Sequence, residues 1–152
     1  MSRQIYNWNK YIKLNDVGDG DEYEAMNYLE ISNNNNTEEV KSFFNNNIFL
    51  FHLNESKNTS IYDSMYNFKD NYFNIIFINS IPENILENMV LCFKKLKKNG
   101  MLIINNYYFS SIDNDIMQSG IDGFLYGYAH KIKQLGTIDK QLFLLNSTFK
   151  KG

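Results

Sequence analysis

Two histidines, His52 and His130, and one cysteine, Cys92, are the side chains in this sequence best suited to proton transfer or nucleophilic attack near neutral pH. Neither histidine belongs to a recognisable triad. His52 interrupts an apolar run and reads as a hydrogen-bonded core or edge residue, whereas His130 reads as an exposed position on a late helix. Cys92 falls inside an apolar helical stretch and reads as packing. The sequence carries no Cys/His zinc pattern, no glycine-rich phosphate loop and no arginine-rich stripe. Asp16-Val17-Gly18-Asp19-Gly20-Asp21 has the acidity of a calcium loop. Its spacing does not match the twelve-residue pattern and no closing glutamate stands in place, so a solvated turn is expected. Lys94, Lys95, Lys97 and Lys98 can reach a phosphate, but their place near the end of a helix makes them expected solvated complements of its dipole.

Composition narrows the classes further. The chain has 152 residues, enough for one domain with a core of its own, and its 12 Phe and 11 Tyr argue against general disorder. The formal charge is −2, from 15 basic and 17 acidic residues, which gives no bulk drive towards nucleic acid or an anionic membrane. A single cysteine excludes an internal disulfide and favours a reducing compartment. No apolar run approaches the roughly 20 residues of a bilayer span, and Met1-Ser2-Arg3-Gln4 lacks the start of a secretory signal. An intracellular, cytoplasmic location is expected. Asparagine supplies 24 residues and lysine outnumbers arginine 14 to 1. That is the bias of an AT-rich genome, such as a large DNA virus or an AT-rich parasite, and it adds a viral protein associated with the virion as a second expectation.

The elements that must position these residues alternate in type. The N-terminal residues Tyr6, Trp8, Tyr11 and Ile12 allow a short amphipathic helix. Met26–Ile31 is a predicted strand and Thr37–Phe44 a short helix capped by Thr37. Ile48–Leu53 is almost continuously apolar and predicts a strand buried on both faces. Ser60–Phe68 predicts a helix, and Phe73–Ile78 is the clearest strand. Ser80 and Pro82 open the next helix, whose stripe is Ile85, Leu86, Met89, Val90, Phe93 and Leu96, with Asn99-Gly100 as its end. Met101–Ile104 predicts another strand, Gly120–Lys133 a helix, and Gln134–Ile138 with Gln141–Asn146 a hairpin turned at Asp139-Lys140. Alternation of this kind implies a mostly parallel sheet with right-handed crossovers.

From Tyr28 to Phe149 these segments resemble the class I S-adenosylmethionine-dependent methyltransferases, in particular the small-molecule O-methyltransferase-like branch. Leu29-Glu30-Ile31-Ser32 stands where the family has its first strand and glycine-rich turn. Phe73-Asn74-Ile75-Ile76-Phe77-Ile78-Asn79-Ser80 resembles the fourth strand, and Leu96-Lys97-Lys98-Asn99-Gly100 the turn before the fifth. Met101-Leu102-Ile103-Ile104-Asn105-Asn106-Tyr107 resembles that fifth strand, and Gln141-Leu142-Phe143-Leu144 the closing one. The resemblance implies a Rossmann-like α/β fold with a C-terminal antiparallel hairpin. It divides the chain into an N-terminal aromatic extension, 1–21, and a methyltransferase-like domain, 22–152.

The resemblance also implies a cofactor site lined by Ser32, Asn33, Glu55 and Asn79. Three departures weigh against it. Asn33 to Asn36 replace the glycines that let a backbone approach the cofactor. The interval before Phe73 is short by about one strand-helix unit; Ile48–Leu53 reads as the family's third strand, so the acidic ribose holder is lost unless Glu55 replaces it. Asn79, Asn105 and Asn106 stand where the metal-dependent branch has carboxylates, and neutral amides hold hard divalent cations less well. No metal site and no identifiable catalytic residue is expected. Tyr107-Tyr108-Phe109 offers an aromatic cluster for a ligand or a partner chain. The expectation is a pseudoenzyme: a methyltransferase-like module with a structural or interaction role, needing no cofactor, bound to a protein partner or to itself as an oligomer, and with no evident nucleic-acid or membrane partner. The alternative is a minimal active methyltransferase using S-adenosylmethionine.

Overall fold

The computed structural model describes residues 6–12, 25–33, 37–45, 47–55, 61–79, 82–105 and 112–148. The acidic stretch Asp16 to Asp21, Asn34 to Asn36, Ser80, Asn106 and the aromatic run Tyr107 to Phe109 lie outside them. Six strands, β1 (Met26–Ile31), β2 (Ile48–Leu53), β3 (Phe73–Ile78), β4 (Leu96–Ile104), β5 (Ile132–Ile138) and β6 (Gln141–Asn146), form one sheet in the order β2-β1-β3-β4-β6-β5. The pairs β2-β1, β1-β3 and β3-β4 are parallel, while β6 runs antiparallel to both neighbours. The helices are α1 (Thr37–Phe43), α2 (Tyr62–Tyr66), α3 (Ile85–Lys95) and α4 (Ile112–Gly127), with 3-10 turns at Tyr6–Lys10 and Pro82–Asn84.

The centre of the sheet follows from β3, whose six residues FNIIFI are all buried. Its alternate side chains supply two cores. Ile76 and Ile78 join Leu29, Ile31, Leu102 and Ile104 beneath α2, α3 and α4. Ile75 and Phe77 join Tyr28, Met101, Ile103 and Phe143 on the opposite face, which α1 and the N-terminal turn cover through Val40, Phe44, Trp8 and Ile12. Trp8 is fully buried and packs edge-on to Phe43 at 5.9 Å between ring centres. The aromatic N-terminus is thus part of the second core. Tyr11 from that segment reaches across to Gly136, whose φ of 145° and crowding by the Tyr11 ring leave no room for a side chain.

Four expectations are corrected. β2 is an edge strand and not one buried on both faces: Phe49 is 60% exposed and the rest of the strand is half-buried. An apolar run reports hydrophobicity and not the number of neighbours. β2 also pairs directly with β1, so it takes the place of the second strand of a doubly wound sheet, not the third. The helix expected to continue through Lys98 ends at Lys95, because Leu96 is extended and pairs with Phe73; Asn99 keeps the left-handed turn with φ 64°. The late helix begins at Ile112 and stops at Gly127, and Ile132 belongs to β5. The hairpin turn at Asp139 and Lys140 has both residues at positive φ, the two-residue turn that matches strand twist. No described helix is long and apolar enough to cross a membrane.

Candidate functional site

In an open α/β sheet, ligands bind outside the carboxyl ends of the parallel strands, where the strand order reverses. Here that edge lies between β1 and β3, and the described residues leaving it are Ser32 and Asn33 after β1, Asn54 and Glu55 after β2, Asn79 after β3 and Asn105 after β4. The backbone stays tied together past the strand ends. Asn79 N donates to Ile31 O at 2.8 Å, Asn105 N to Ile78 O at 2.9 Å and Ser32 N to Leu53 O at 3.2 Å.

The polar side chains at this edge turn inward. On one face, Tyr28, Glu30 and Ser32 lie at strand period two and so share a side of the sheet. Glu30 is fully buried and accepts from Tyr28 Oη at 3.0 Å and from Ser32 Oγ at 2.8 Å. His52 stands opposite Glu30 in the β1-β2 register, and its Nε2 lies 3.1 Å from Ser32 Oγ. Ser32 Oγ donates to Glu30, and the direction of its contact with His52 follows the imidazole tautomer. Ser32 is itself fully buried. The constellation is therefore a buried hydrogen-bond network rather than a nucleophile with its base.

On the other face, Glu55 is only 3% exposed and accepts a hydrogen bond from Asn88 Nδ2 on α3. Cys92 lies one helical turn beyond Asn88. Burial, and then the Glu55 carboxylate, push its thiol well above the ordinary range, which disfavours the reactive thiolate form. Of the four cofactor candidates, Ser32 and Glu55 are buried on opposite faces, Asn79 is half-buried and Asn33 is exposed. The strand ends bring Ser32 and Asn79 to neighbouring positions, whereas the side-chain hydrogen bonds of Ser32 and Glu55 run to opposite faces of the sheet. Among the described residues, no three His, Cys, Asp or Glu side chains form a group able to hold a metal. His52 is the hydrogen-bonded edge residue that the sequence suggests, but its connection through Ser32 to a buried Glu30 was not read from sequence. The signal for that connection is the polar alternation Tyr28, Glu30, Ser32 between Leu29 and Ile31.

Toward S-adenosylmethionine, the described part of this edge presents the exposed Asn33 and the half-buried Asn79, while the buried Ser32 donates to Glu30, and Glu55, the described carboxylate that follows β2, accepts from Asn88 on α3.

Strand order, crossovers and closing hairpin together define the Rossmann-like methyltransferase fold. Among solved structures, a protein of Corynebacterium glutamicum is similar over 90% of this chain and 78% of its own, with a TM-score of 0.59 and 9% identity. The O-methyltransferase TomG of Streptomyces achromogenes, involved in tomaymycin synthesis and solved with S-adenosylmethionine, has a TM-score of 0.56 at 12% identity over 83% of this chain and 75% of its own. An O-methyltransferase of Bacillus cereus, solved with S-adenosylhomocysteine, has a TM-score of 0.52 at 16% identity over 80% of this chain and 74% of its own. No family model matches the sequence, and no curated protein is similar to it by sequence.

Proposed function

We propose that this domain uses the methyltransferase fold as a scaffold and acts through a protein-binding surface, not by methyl transfer. The observation that carries this reading is the fate of the two carboxylates at the carboxyl edge of the sheet. Glu30 is enclosed by Tyr28 and Ser32, and Glu55 is turned onto Asn88. Releasing either to a ligand breaks buried hydrogen bonds, each costing about 1–3 kcal/mol. The surface in this reading is the outer edge of β2, where no strand pairs among the described residues and Phe49 is exposed. A protein partner or a second copy of the chain would cover it.

The second reading is a minimal active methyltransferase. It is supported by the retained strand order and by the cofactors of the two O-methyltransferases named above, bound as S-adenosylmethionine and S-adenosylhomocysteine. Titration calorimetry with S-adenosylmethionine separates the two. The scaffold reading expects no saturable heat below about 1 mM. A micromolar dissociation constant, weakened at least tenfold by Glu55→Gln, overturns it in favour of the enzyme.

A further inference from the structure

The opposite edge of the sheet holds a cleft of about 300 Å³ that the reading above does not use. Its apolar wall is Val90, Phe93 and Tyr128, and its cations are Lys94, Lys98 and Lys131. These residues come from the end of α3, the start of β4 and the segment joining α4 to β5. The antiparallel pairing of β6 with β4 brings Asn146 to the same place, at the end of β6. The volume lies at the lower bound of small-ligand pockets, which begin at roughly 300 Å³.

The ordinary explanation for lysines at a helix end is that they complement the terminal carbonyls. Here other donors already cap those carbonyls. Lys94 O accepts from Asn71 N, and Lys95 O from Tyr72 N at 2.8 Å. Just past the helix, at the start of β4, Leu96 O and Lys97 O both accept from Asn146 Nδ2 at 3.1 Å. Lys95 is the one lysine of the run turned inward, donating to Phe68 O and pairing with Asp70 at 2.9 Å. Asp70 also feels Lys94, but its hydrogen bond is to Lys95. Among the described residues, the side-chain ammonium groups of Lys94 and Lys98 make no ion pair or hydrogen bond. Lys131 lies over the Tyr128 ring at 5.6 Å, which holds its ammonium at the cleft.

Three ammonium groups beside an aromatic wall select an anion with an apolar body. Lysines are point charges without the planar fork that fits a carboxylate in bidentate fashion, and they suit the spread charge of a phosphate. We infer that this cleft binds a small phosphate ester carrying a flat apolar group, of the size of a mononucleotide, with the phosphate at Lys94, Lys98 and Lys131 and the flat group against Phe93 and Tyr128.

Adenosine monophosphate is the probe, titrated by calorimetry into the full chain at about 50 mM salt, where charge contacts are only partly screened. Adenosine and inorganic phosphate are titrated in parallel. The site expects saturable binding of the nucleotide below about 1 mM, at least tenfold tighter than either fragment. Lys98→Gln with Lys131→Gln, both away from the packed core, weakens it at least tenfold while the circular dichroism melt is unchanged; Lys10→Gln leaves it as it was. No saturable binding, equal binding in the double variant, or phosphate binding as tightly as the nucleotide overturns the inference. Binding at the carboxyl edge of the sheet would survive the double variant, so the result does not depend on whether that edge takes S-adenosylmethionine.

Discussion

Trp8 Nε1 donates a 2.7 Å hydrogen bond to Gln141 Oε1, joining the first described turn of the chain to the start of its last strand inside the core. Both residues are buried, Trp8 fully and Gln141 nearly so. The bond satisfies an indole N–H and an amide oxygen that would otherwise meet only apolar neighbours such as Phe77, whose ring centre is 5.7 Å from that of Trp8. The N-terminal turn therefore lends the sheet both apolar area and a polar tie.

Two substitutions separate these contributions. Trp8→Ala removes the ring and opens a cavity between α1 and the sheet, which is expected to cost about 3–5 kcal/mol in urea unfolding. Trp8→Phe keeps most of the packing but leaves Gln141 without its indole donor, for about 1–3 kcal/mol. Equal losses for the two variants would mean that the hydrogen bond carries the whole effect. No loss in either would mean that the N-terminal turn does not contribute to the fold.

The sheet was largely legible in the sequence because its signals are local. β1, β2 and β3 have the bounds read from their apolar runs, Met26–Ile31, Ile48–Leu53 and Phe73–Ile78. What was not legible depends on neighbours. Leu96 looks like one more residue of an amphipathic helix, yet its pairing with Phe73 takes it into β4. Leu86 and Val90, counted in the buried stripe of α3, are 44% and 38% exposed, because α4 crosses only part of that face. Ile112 opens α4 among Asp and Asn residues that give no helical period. At the candidate site, Glu30 could be placed at a strand end, but its full burial goes with having β2 and β3 paired on either side of β1, which no local spacing shows.

Asp70 and Lys95 give the fold a pH dependence with a definite sign. The hydrogen bond from Lys95 Nζ holds the Asp70 carboxyl below its ordinary value, outweighing the opposing effect of burial. A carboxylate with a depressed folded-state pKa contributes stability that is present above its unfolded value and is lost as pH falls through the folded one. The loss is thus expected below about pH 4. Asp70 is half exposed and solvent screens the pair, so the contribution is small. Melting temperatures of wild type and Asp70→Asn should differ at neutral pH and converge on acidification through that window. A gap that stays constant down to about pH 2 would show that Lys95 does not stabilise the carboxylate form.

The exposed ring of Phe49 tests the surface on which the scaffold reading depends. Among the described residues β2 is the outermost strand on its side, with no strand paired along its outer, apolar edge. Natural edge strands are usually protected by charge, proline or a covering element, and β2 contains neither a lysine nor a proline. With Phe49 60% exposed, the edge favours pairing with a second strand. Light scattering of the full chain over a range of concentrations should show association, and Phe49→Lys should reduce it to monomer. Since the ring makes few internal contacts, the variant should unfold within about 0.5 kcal/mol of wild type. A wild-type chain that stays monomeric at all concentrations removes self-association through β2. Association that persists unchanged in Phe49→Lys places the contact elsewhere on the molecule.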